Sequence, residues 1–293
     1  MPAADHAVPL ARQIRVGLIG AGIQQSKSPP LHTREAALHG LDYSYELFDL
    51  AADGLTSADL PALLARAEAR GFAGLNITHP CKQVVLPLLS ELSADARALG
   101  AVNTVVFRGG ARIGHNTDWS GFYENFSRGL PEVARRQALL LGAGGAGVAV
   151  AHAALKLGIE RLAIADLEAG RAAQLANALN DRFGAARAYP TTDIAGTLAT
   201  ADGLIHATPT GMAQHPGLPL DAALLEPRHW VADIVYVPLV TPLLVAARAR
   251  GCRTLDGGGM AVFQAIGALR LFAGIEPDAE RMIRHFASLV APA

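Results

Sequence analysis

Little in this chain could cross-link it, hold a metal ion or tie it to a membrane or a nucleic acid. Only Cys81 and Cys252 occur in 293 residues, far apart, so the chain offers neither a disulfide framework nor a cysteine-based metal site. The histidines, including His32, His115 and His152, show no metal-ligand spacing. No long block of Lys and Arg is present and the formal net charge is -1, which favours neither nucleic acid nor an anionic membrane as a partner. Met1 to Arg15 mixes small, polar and charged residues and lacks the apolar centre of a secretion signal. The longest uncharged stretch, Gln137 to Leu155, has the length of a membrane span, but four glycines and His152 make strand, turn and helix the better account. With no internal repeat or low-complexity tract, the expectation is a reduced, cytoplasmic protein. Hydrophobic residues make up 51% and charged residues 17%, a compact globular balance, and the length suffices for two domains with separate cores.

Near the middle of the chain, Gly142, Gly144 and Gly147 spell G-x-G-x-x-G within Leu139-Leu-Leu-Gly-Ala-Gly-Gly-Ala-Gly-Val148. An apolar run suited to a buried strand precedes the motif, and Val148 to Leu157 reads as a helix. A strand entering a helix through such a turn offers backbone N–H groups and a helix N-terminus to a pyrophosphate. A second apolar strand, Leu162-Ala-Ile-Ala-Asp166, ends in a carboxylate about twenty residues beyond the glycines, where a ribose 2′-hydroxyl needs an acceptor. Glycines alone are weak evidence. With the acid at that spacing they predict a dinucleotide site. The earlier turn Gly20-Ala-Gly22 is read as a decoy, because Gln25 stands where a third glycine is needed and no acid follows at the right distance.

Alternating strands and helices predict an α/β protein in two parts. Strands are expected at 14–19, 43–50, 74–78 and 101–107, and helices at 31–39, 60–70, 84–89, 93–99 and 118–128, with a turn around 109–114. The alternation then repeats: strands at 139–141, 162–165, 186–189, 203–207, 230–235 and 254–255, and helices at 146–157, 170–182, 260–272 and 278–289. The expected division is an α/β substrate domain from 1–117 plus 257–293, and a doubly wound Rossmann-type domain from 118–256.

Polar residues of the first part gather at expected strand ends and turns, where open α/β sheets place ligand groups. Ser26-Lys-Ser28 precedes Pro29, and a helix-capping pair is the plain alternative there. In Asn76-Ile-Thr-His-Pro-Cys-Lys82, strand alternation puts Asn76 and Thr78 on one face. Lys82 by itself would be read as a solvated surface lysine, and Asp118 as an N-cap. Cys81 is read as a spacer, since no base is placed for it.

Six segments together, Ser26-x-Ser-Pro29, Asn76-x-Thr-x-Pro-x-Lys82, Ala101-Val-Asn-Thr104, Asn116-Thr-Asp118, Gly142-Ala-Gly-Gly-Ala146 and Gly259-Met-x-x-x-Gln264, resemble the shikimate dehydrogenase family from about Val16 to Phe286. The resemblance implies a catalytic pair Lys82 and Asp118, and substrate contacts from Ser26, Ser28, Thr78, Asn103 and Gln264, with Tyr236 nearby. It implies cofactor contacts at Gly142, Ala143, Gly144, Gly145, Ala146, Asp166, Arg171, Thr208, Pro209, Met212, Ile234, Gly259 and Met260, and no metal. The implied partner is a small polyhydroxylated ring carboxylic acid, with the protein a monomer or homodimer. Such a substrate needs many hydrogen bonds, which suits a pocket of Ser, Thr, Asn and Gln.

Family members that use NADP carry Asn-Arg-Ser/Thr after the second Rossmann strand, whereas this chain has Ala165-Asp-Leu-Glu168. Two carboxylates there repel a 2′-phosphate and suit a free ribose diol, so NAD is expected over NADP, although Arg171 is close enough to complicate this. The same acids resemble the branch that handles quinate as well as shikimate. The family's Asn-Ala-Thr appears as His206-Ala-Thr208, and His206 is expected to be a satisfied structural group. Three rivals stay open: a non-catalytic NAD-binding sensor, an aminoshikimate-type dehydrogenase and a folate-linked methylene dehydrogenase.

Overall fold

The computed structural model describes residues 13–291. The part of the Met1–Arg15 stretch up to residue 12, and the outermost ends of the expected first domain, lie outside the described residues. The first part runs β1 (Ile14–Gly20), α1 (Ser28–Leu38), β2 (Tyr43–Asp49), α2 (Leu60–Ala69), β3 (Gly74–Ile77), α3 (Cys81–Val84), β4 (Glu91–Leu92), α4 (Ala94–Leu99), β5 (Thr104–Arg108) and β6 (Ala111–His115). Its strands form one sheet in the order β2-β1-β3-β5-β6-β4. β1 pairs in parallel with β2 and β3, while β5 is antiparallel to β3 and β6.

Two sequence expectations are corrected here. Residues 111–114 are not a turn but most of β6; the turn is confined to Gly109-Gly110, both with positive φ (59° and 79°), as a two-residue hairpin requires. The helix expected at 84–89 instead starts at Cys81 and gives way to a 3-10 turn at Leu86–Leu88, because Pro87 cannot donate into an α-helix.

The second part begins with α5 (Asp118–Gly129) and continues through β7 (Gln137–Leu141), α6 (Gly145–Lys156), β8 (Arg161–Ala165), α7 (Ala169–Phe183), β9 (Ala188–Pro190), α8 (Ile194–Thr200), β10 (Gly203–His206), β11 (Trp230–Asp233), α9 (Pro242–Ala249) and β12 (Arg253–Leu255). All strand pairs of this sheet are parallel, in the order β12-β11-β10-β7-β8-β9. That is the doubly wound Rossmann order, with its switch point between β7 and β10. The expected α/β architecture is therefore the one the chain adopts. Helices α8 and α9 had no counterpart in the sequence reading. α8 is only 7 residues long and includes a glycine and two β-branched threonines, and α9 announces itself mainly through the cap Thr241 and Pro242.

Two closing helices, α10 (Gly258–Ala273) and α11 (Ala279–Val290), return to the first part. Leu31 of α1 shares an apolar cluster with Val262, Phe263, Ile266, Met282 and Phe286. Glu35 on α1, nearly fully buried, fastens α11: it accepts from the Asp278 N–H (2.8 Å) and from two nitrogens of Arg281 (2.6 and 2.9 Å). Burial would raise the Glu35 pKa, but these donors outweigh it and hold the carboxyl below its usual range. Under the second sheet, Phe122 and Phe126 of α5 pack with Leu140, Val150, Ile164 and Trp230. Each such side chain removed from water is worth about 1.5–3 kcal/mol. The carboxyl ends of β3, β10 and β11 border one cleft between the two sheets.

Candidate active site

The glycine turn follows β7 directly. Gly142 has φ 100°, and a Cβ there would lie 2.6 Å from the Ala207 carbonyl oxygen. A Cβ on Gly147 would collide with the Gly142 carbonyl, so this glycine lets α6 pack onto the strand end. Gly144 and Gly145, at the start of α6, meet nothing: a Cβ would enter open space beside the free N–H groups of a 12-residue helix. That open edge fits a pyrophosphate. Gly147→Ala is expected to destabilise the fold by about 1–3 kcal/mol, read as a lowered thermal midpoint; an unchanged midpoint would contradict the close packing.

Asp166, just past β8, accepts from the Ala143 N–H (2.7 Å) and the Glu168 N–H (2.9 Å). A carboxylate has about four lone-pair sites, so acceptor capacity remains for a ribose diol. Arg171 pairs with Glu168 at 2.8 Å, both largely exposed on α7. The first sheet repeats part of this device at the Gly20-Ala-Gly22 turn, which the sequence marks as a decoy for a second dinucleotide site. Asp49 at the end of β2 accepts from the Gly22 and Ile23 N–H groups (2.8 and 2.9 Å). Burial pushes its carboxyl up, but those donors dominate and lower it. At 2% exposure Asp49 is committed to the loop.

The cleft has a volume of about 630 Å³. At its floor Lys82 Nζ donates to Asp118 Oδ2 at 2.6 Å. Lys82 comes from the first turn of α3 and Asp118 from the first residue of α5, so two backbone starts fix the pair. Asp118 is not the N-cap: Thr117 holds that position, and Asn116 Oδ1 accepts from the Asp118 N–H at 3.0 Å. Asn103 Nδ2 donates to Asp118 Oδ1 (2.8 Å) and to Thr117 Oγ1 (2.9 Å), while its Oδ1 accepts from the Thr117 N–H (2.7 Å). Both amide hydrogens of Asn103 are thus engaged, and the residue orients Asp118 in addition to bordering the cleft. Behind it, Asn76 Nδ2 donates to Thr104 Oγ1 (3.1 Å) and the Tyr45 hydroxyl donates to Asn76 Oδ1 (2.9 Å). A chain of satisfied polar groups so runs from Tyr45 to Lys82, which stiffens this corner of the cleft.

Ser26, Ser28, Thr78, Lys82, Asn103, Asp118, Tyr236 and Gln264 all border this cleft, as do Ala146, Thr208, Pro209, Met212, Ile234 and Met260. Ser26 Oγ accepts from the Ser28 N–H at 3.2 Å, so the serine pair also shapes the entry to α1. Tyr236 stands partly exposed; desolvation raises its phenol pKa, opposed by nearby Lys82. Gly142, Ala143, Gly144, Gly145, Asp166 and Arg171 lie outside the cleft lining, along the glycine edge and the end of β8. Gly259 is a packing position: a Cβ there would collide with Asn125 of α5, whose Nδ2 donates to the Asp256 carbonyl (2.9 Å). The sequence reading missed Asp49, Thr104, Thr117 and the cleft residues Ile23, Val235 and Phe286. Of these, only Asp49 carried a signal, an acid ending the second strand after a glycine turn. Among the described residues no cluster of His, Cys, Asp or Glu could hold a metal ion, and no helix is long and apolar enough to cross a membrane.

Known proteins share both the sequence and this arrangement. Residues 18–105 match the family model described as shikimate dehydrogenase substrate binding domain. The chain is 55% identical to a shikimate dehydrogenase (NADP(+)) of Streptomyces avermitilis, covering 95% of this chain and 96% of that protein. It is 47% identical to a quinate/shikimate dehydrogenase (NAD(+)) of Corynebacterium efficiens, covering 94% of this chain and 98% of the relative. A solved quinate dehydrogenase from Corynebacterium glutamicum in complex with NAD superimposes with a TM-score of 0.90 at 46% identity, covering 94% of this chain and 99% of that one. The chain therefore belongs to the shikimate dehydrogenase family.

Proposed function

We propose that the protein oxidises and reduces a ring secondary alcohol of shikimate and/or quinate with a nicotinamide dinucleotide, preferring NAD. The observation that carries this reading is the Lys82–Asp118 pair at the floor of a cleft lined by Ser26, Ser28, Thr78 and Gln264. When bound, the nicotinamide supplies the hydride acceptor or donor. In reduction Lys82 Nζ, as the ammonium, donates to the substrate oxygen at the reacting carbon, stabilises negative charge developing there and gives it the proton; in oxidation the amine takes the hydroxyl proton and releases it to solvent. Asp118 holds the lysine in place and accepts from a neighbouring substrate hydroxyl. Closure of the cleft excludes water from the reacting carbon.

Following NADH and NADPH formation with shikimate, quinate and aminoshikimate offered singly tests the reading. Turnover of shikimate or quinate is expected. No signal with any of the three would sink it and favour a sensor or a folate-type enzyme.

The relatives carry both NAD(+) and NADP(+) in their names, so the cofactor preference rests on this chain's own residues. Asp166 presents a carboxylate beside the glycine turn, and Glu168 adds a second carboxylate that pairs with Arg171 and offsets its charge. Asp166→Asn is expected to reduce the NAD-over-NADP ratio of kcat/KM about tenfold or more, since a charge-assisted hydrogen bond is lost and a repulsion relieved. Equal wild-type turnover with NADP at matched concentration would overturn the preference.

A further inference from the structure

Next to the cleft, four side chains form a hydrogen-bonded line that the chemistry above does not use. β10 ends at His206 and β11 ends at Asp233, and the two are register partners, so their side chains lie side by side. His206 Nδ1 lies 2.9 Å from Asp233 Oδ1, and His206 Nε2 lies 2.5 Å from Thr208 Oγ1. On the far side Thr241 donates to Asp233 Oδ2 at 2.6 Å, and the Val235 N–H donates to Asp233 Oδ1 at 3.0 Å. His206, Asp233 and Thr241 are all buried, at 0%, 1% and 0% exposure, whereas Thr208 borders the cleft.

With a neutral His206 imidazole, the donors and acceptors of this line admit one consistent assignment. Both Asp233 oxygens accept, so His206 Nδ1 carries a hydrogen and donates it to Oδ1. Thr208 Oγ1 already accepts from the Thr210 N–H at 3.3 Å. Its own hydrogen goes to His206 Nε2, and what the Thr208 hydroxyl has left for the cleft is a lone pair. Interior polar groups are costly unless fully paired, and here every buried atom is paired. Only one hydroxyl of the line reaches the cleft, in a fixed orientation.

We infer that His206, Asp233 and Thr241 are positioning residues that hold the Thr208 hydroxyl as a hydrogen-bond acceptor for an N–H or O–H donor on the nicotinamide riboside of the cofactor. Thr208 sits with Ala207, Pro209 and Met212 on the Rossmann wall of the cleft. The nicotinamide riboside offers two kinds of donor, the carboxamide NH₂ and the ribose hydroxyls. The inference rests on the dinucleotide reading above, and it gives the histidine a role beyond filling space.

Direct NADH binding, measured by fluorescence or calorimetry, tests the relay apart from turnover. Wild-type binding of NADH bears on the functional reading, and the variants bear on the relay. Thr208→Val removes the acceptor while keeping the side-chain shape and is expected to weaken NADH binding about five- to tenfold, with thermal unfolding used to check that the variant, whose His206 Nε2 loses its donor, remains folded. Thr208→Ser keeps the hydroxyl and is expected to stay near wild type. His206→Asn can still donate to Asp233 but no longer reaches Thr208; it is expected to weaken binding as Thr208→Val does. His206→Gln places an acceptor near the Nε2 position and is expected to restore most of the loss. In the His206→Asn, Thr208→Val double variant the two losses are expected not to add. Wild-type NADH affinity in Thr208→Val, or additive losses in the double variant, would overturn the relay and leave His206 a purely structural group. Replacing NAD with its 3-acetylpyridine analogue, which lacks the carboxamide N–H, identifies the donor. A Thr208→Val penalty that vanishes assigns the carboxamide, and one that persists assigns a ribose hydroxyl.

Discussion

Lys82→Ala is expected to lower kcat for shikimate or quinate oxidation by about 10²- to 10⁴-fold while leaving NADH affinity within about twofold. The lysine is the cation at the floor of the cleft, 2.6 Å from Asp118 and 21% exposed in its side chain. Alanine there leaves no group to donate to the substrate oxygen as charge develops on it. The fold should tolerate the change, because Asp118 keeps the Asn103 amide as a donor at 2.8 Å and is not left unpaired. Cofactor affinity is expected to survive because the glycine turn and Asp166 stand on the other sheet. Lys82→Arg is not expected to rescue the rate, since a planar guanidinium cannot take the place of a compact ammonium beside Asp118 and substrate. Steady-state kinetics together with NADH titration on folded protein decide the matter. Turnover within a few-fold of wild type would remove Lys82 from the chemistry.

Between pH 6.5 and about 4.5, stability is expected to fall steeply as acid is added, with two buried histidines as the main cause. His32 is fully buried between the rings of Tyr43 and Tyr45, and burial pushes its imidazole down to about 3. Its Nδ1 lies 3.1 Å from the Tyr43 hydroxyl, while Nε2 has no partner among the described residues, so a proton there would be buried unpaired. His152, 1% exposed, is held down to about 4 by burial, reinforced by Arg182 and Lys156 and opposed by Asp95. Arg182 donates to its Nδ1 at 2.8 Å, which requires that nitrogen to be a bare acceptor. Both folded-state values lie below the ordinary 6.5. Above pH 6.5 neither state is protonated and the stabilisation is fully present. Below it the unfolded chain takes up protons that the folded protein refuses, so stability falls until the folded values are reached. Each such histidine contributes a slope of about 1.4 kcal/mol per pH unit. Urea unfolding at a series of pH values is expected to show uptake of about two protons in this window, and His32→Phe to remove about one of them. An unchanged slope in His32→Phe would show that His32 does not carry this dependence.

The elements with strong local signals were legible from the residues. The Rossmann start was readable because the glycines and Asp166 stand at a fixed spacing; Gly147 is forced by the Gly142 carbonyl five residues earlier, whereas Gly142 is also hemmed in by Ala207 just past β10, a contact the sequence does not reveal. Lys82 and Asp118 were readable as a pair only through the six segments taken together, since each alone passes for a surface lysine or a helix cap. β6 was missed because Gly109, Gly110 and Gly114 suggest a loop. Its register against β5 comes from tertiary pairing, and Gly114 is needed where Leu89, Leu92 and Val102 crowd the strand. At Gly259, expected as a cofactor contact from the motif it shares with Gln264, the structure adds a packing demand from Asn125, more than a hundred residues away in sequence.

The amino-acid sequence by itself determined the α/β class and the glycine turn, because those depend on short-range spacing, and it singled out Lys82 and Asp118 only through the family resemblance of six segments together. Tertiary structure decided which acids are free to act. Asp49 and Asp166 both end a second strand behind a glycine turn, yet Asp49 is spent on the N–H groups of Gly22 and Ile23, while Asp166 keeps acceptor capacity. It also decided that His206 is tied at both nitrogens, one to Asp233 and one to a hydroxyl facing the cleft. The physical reason is the same in each case. A polar side chain acts through the lone pairs and hydrogens its neighbours leave unused, and those neighbours are brought together only by the pairing of distant strands.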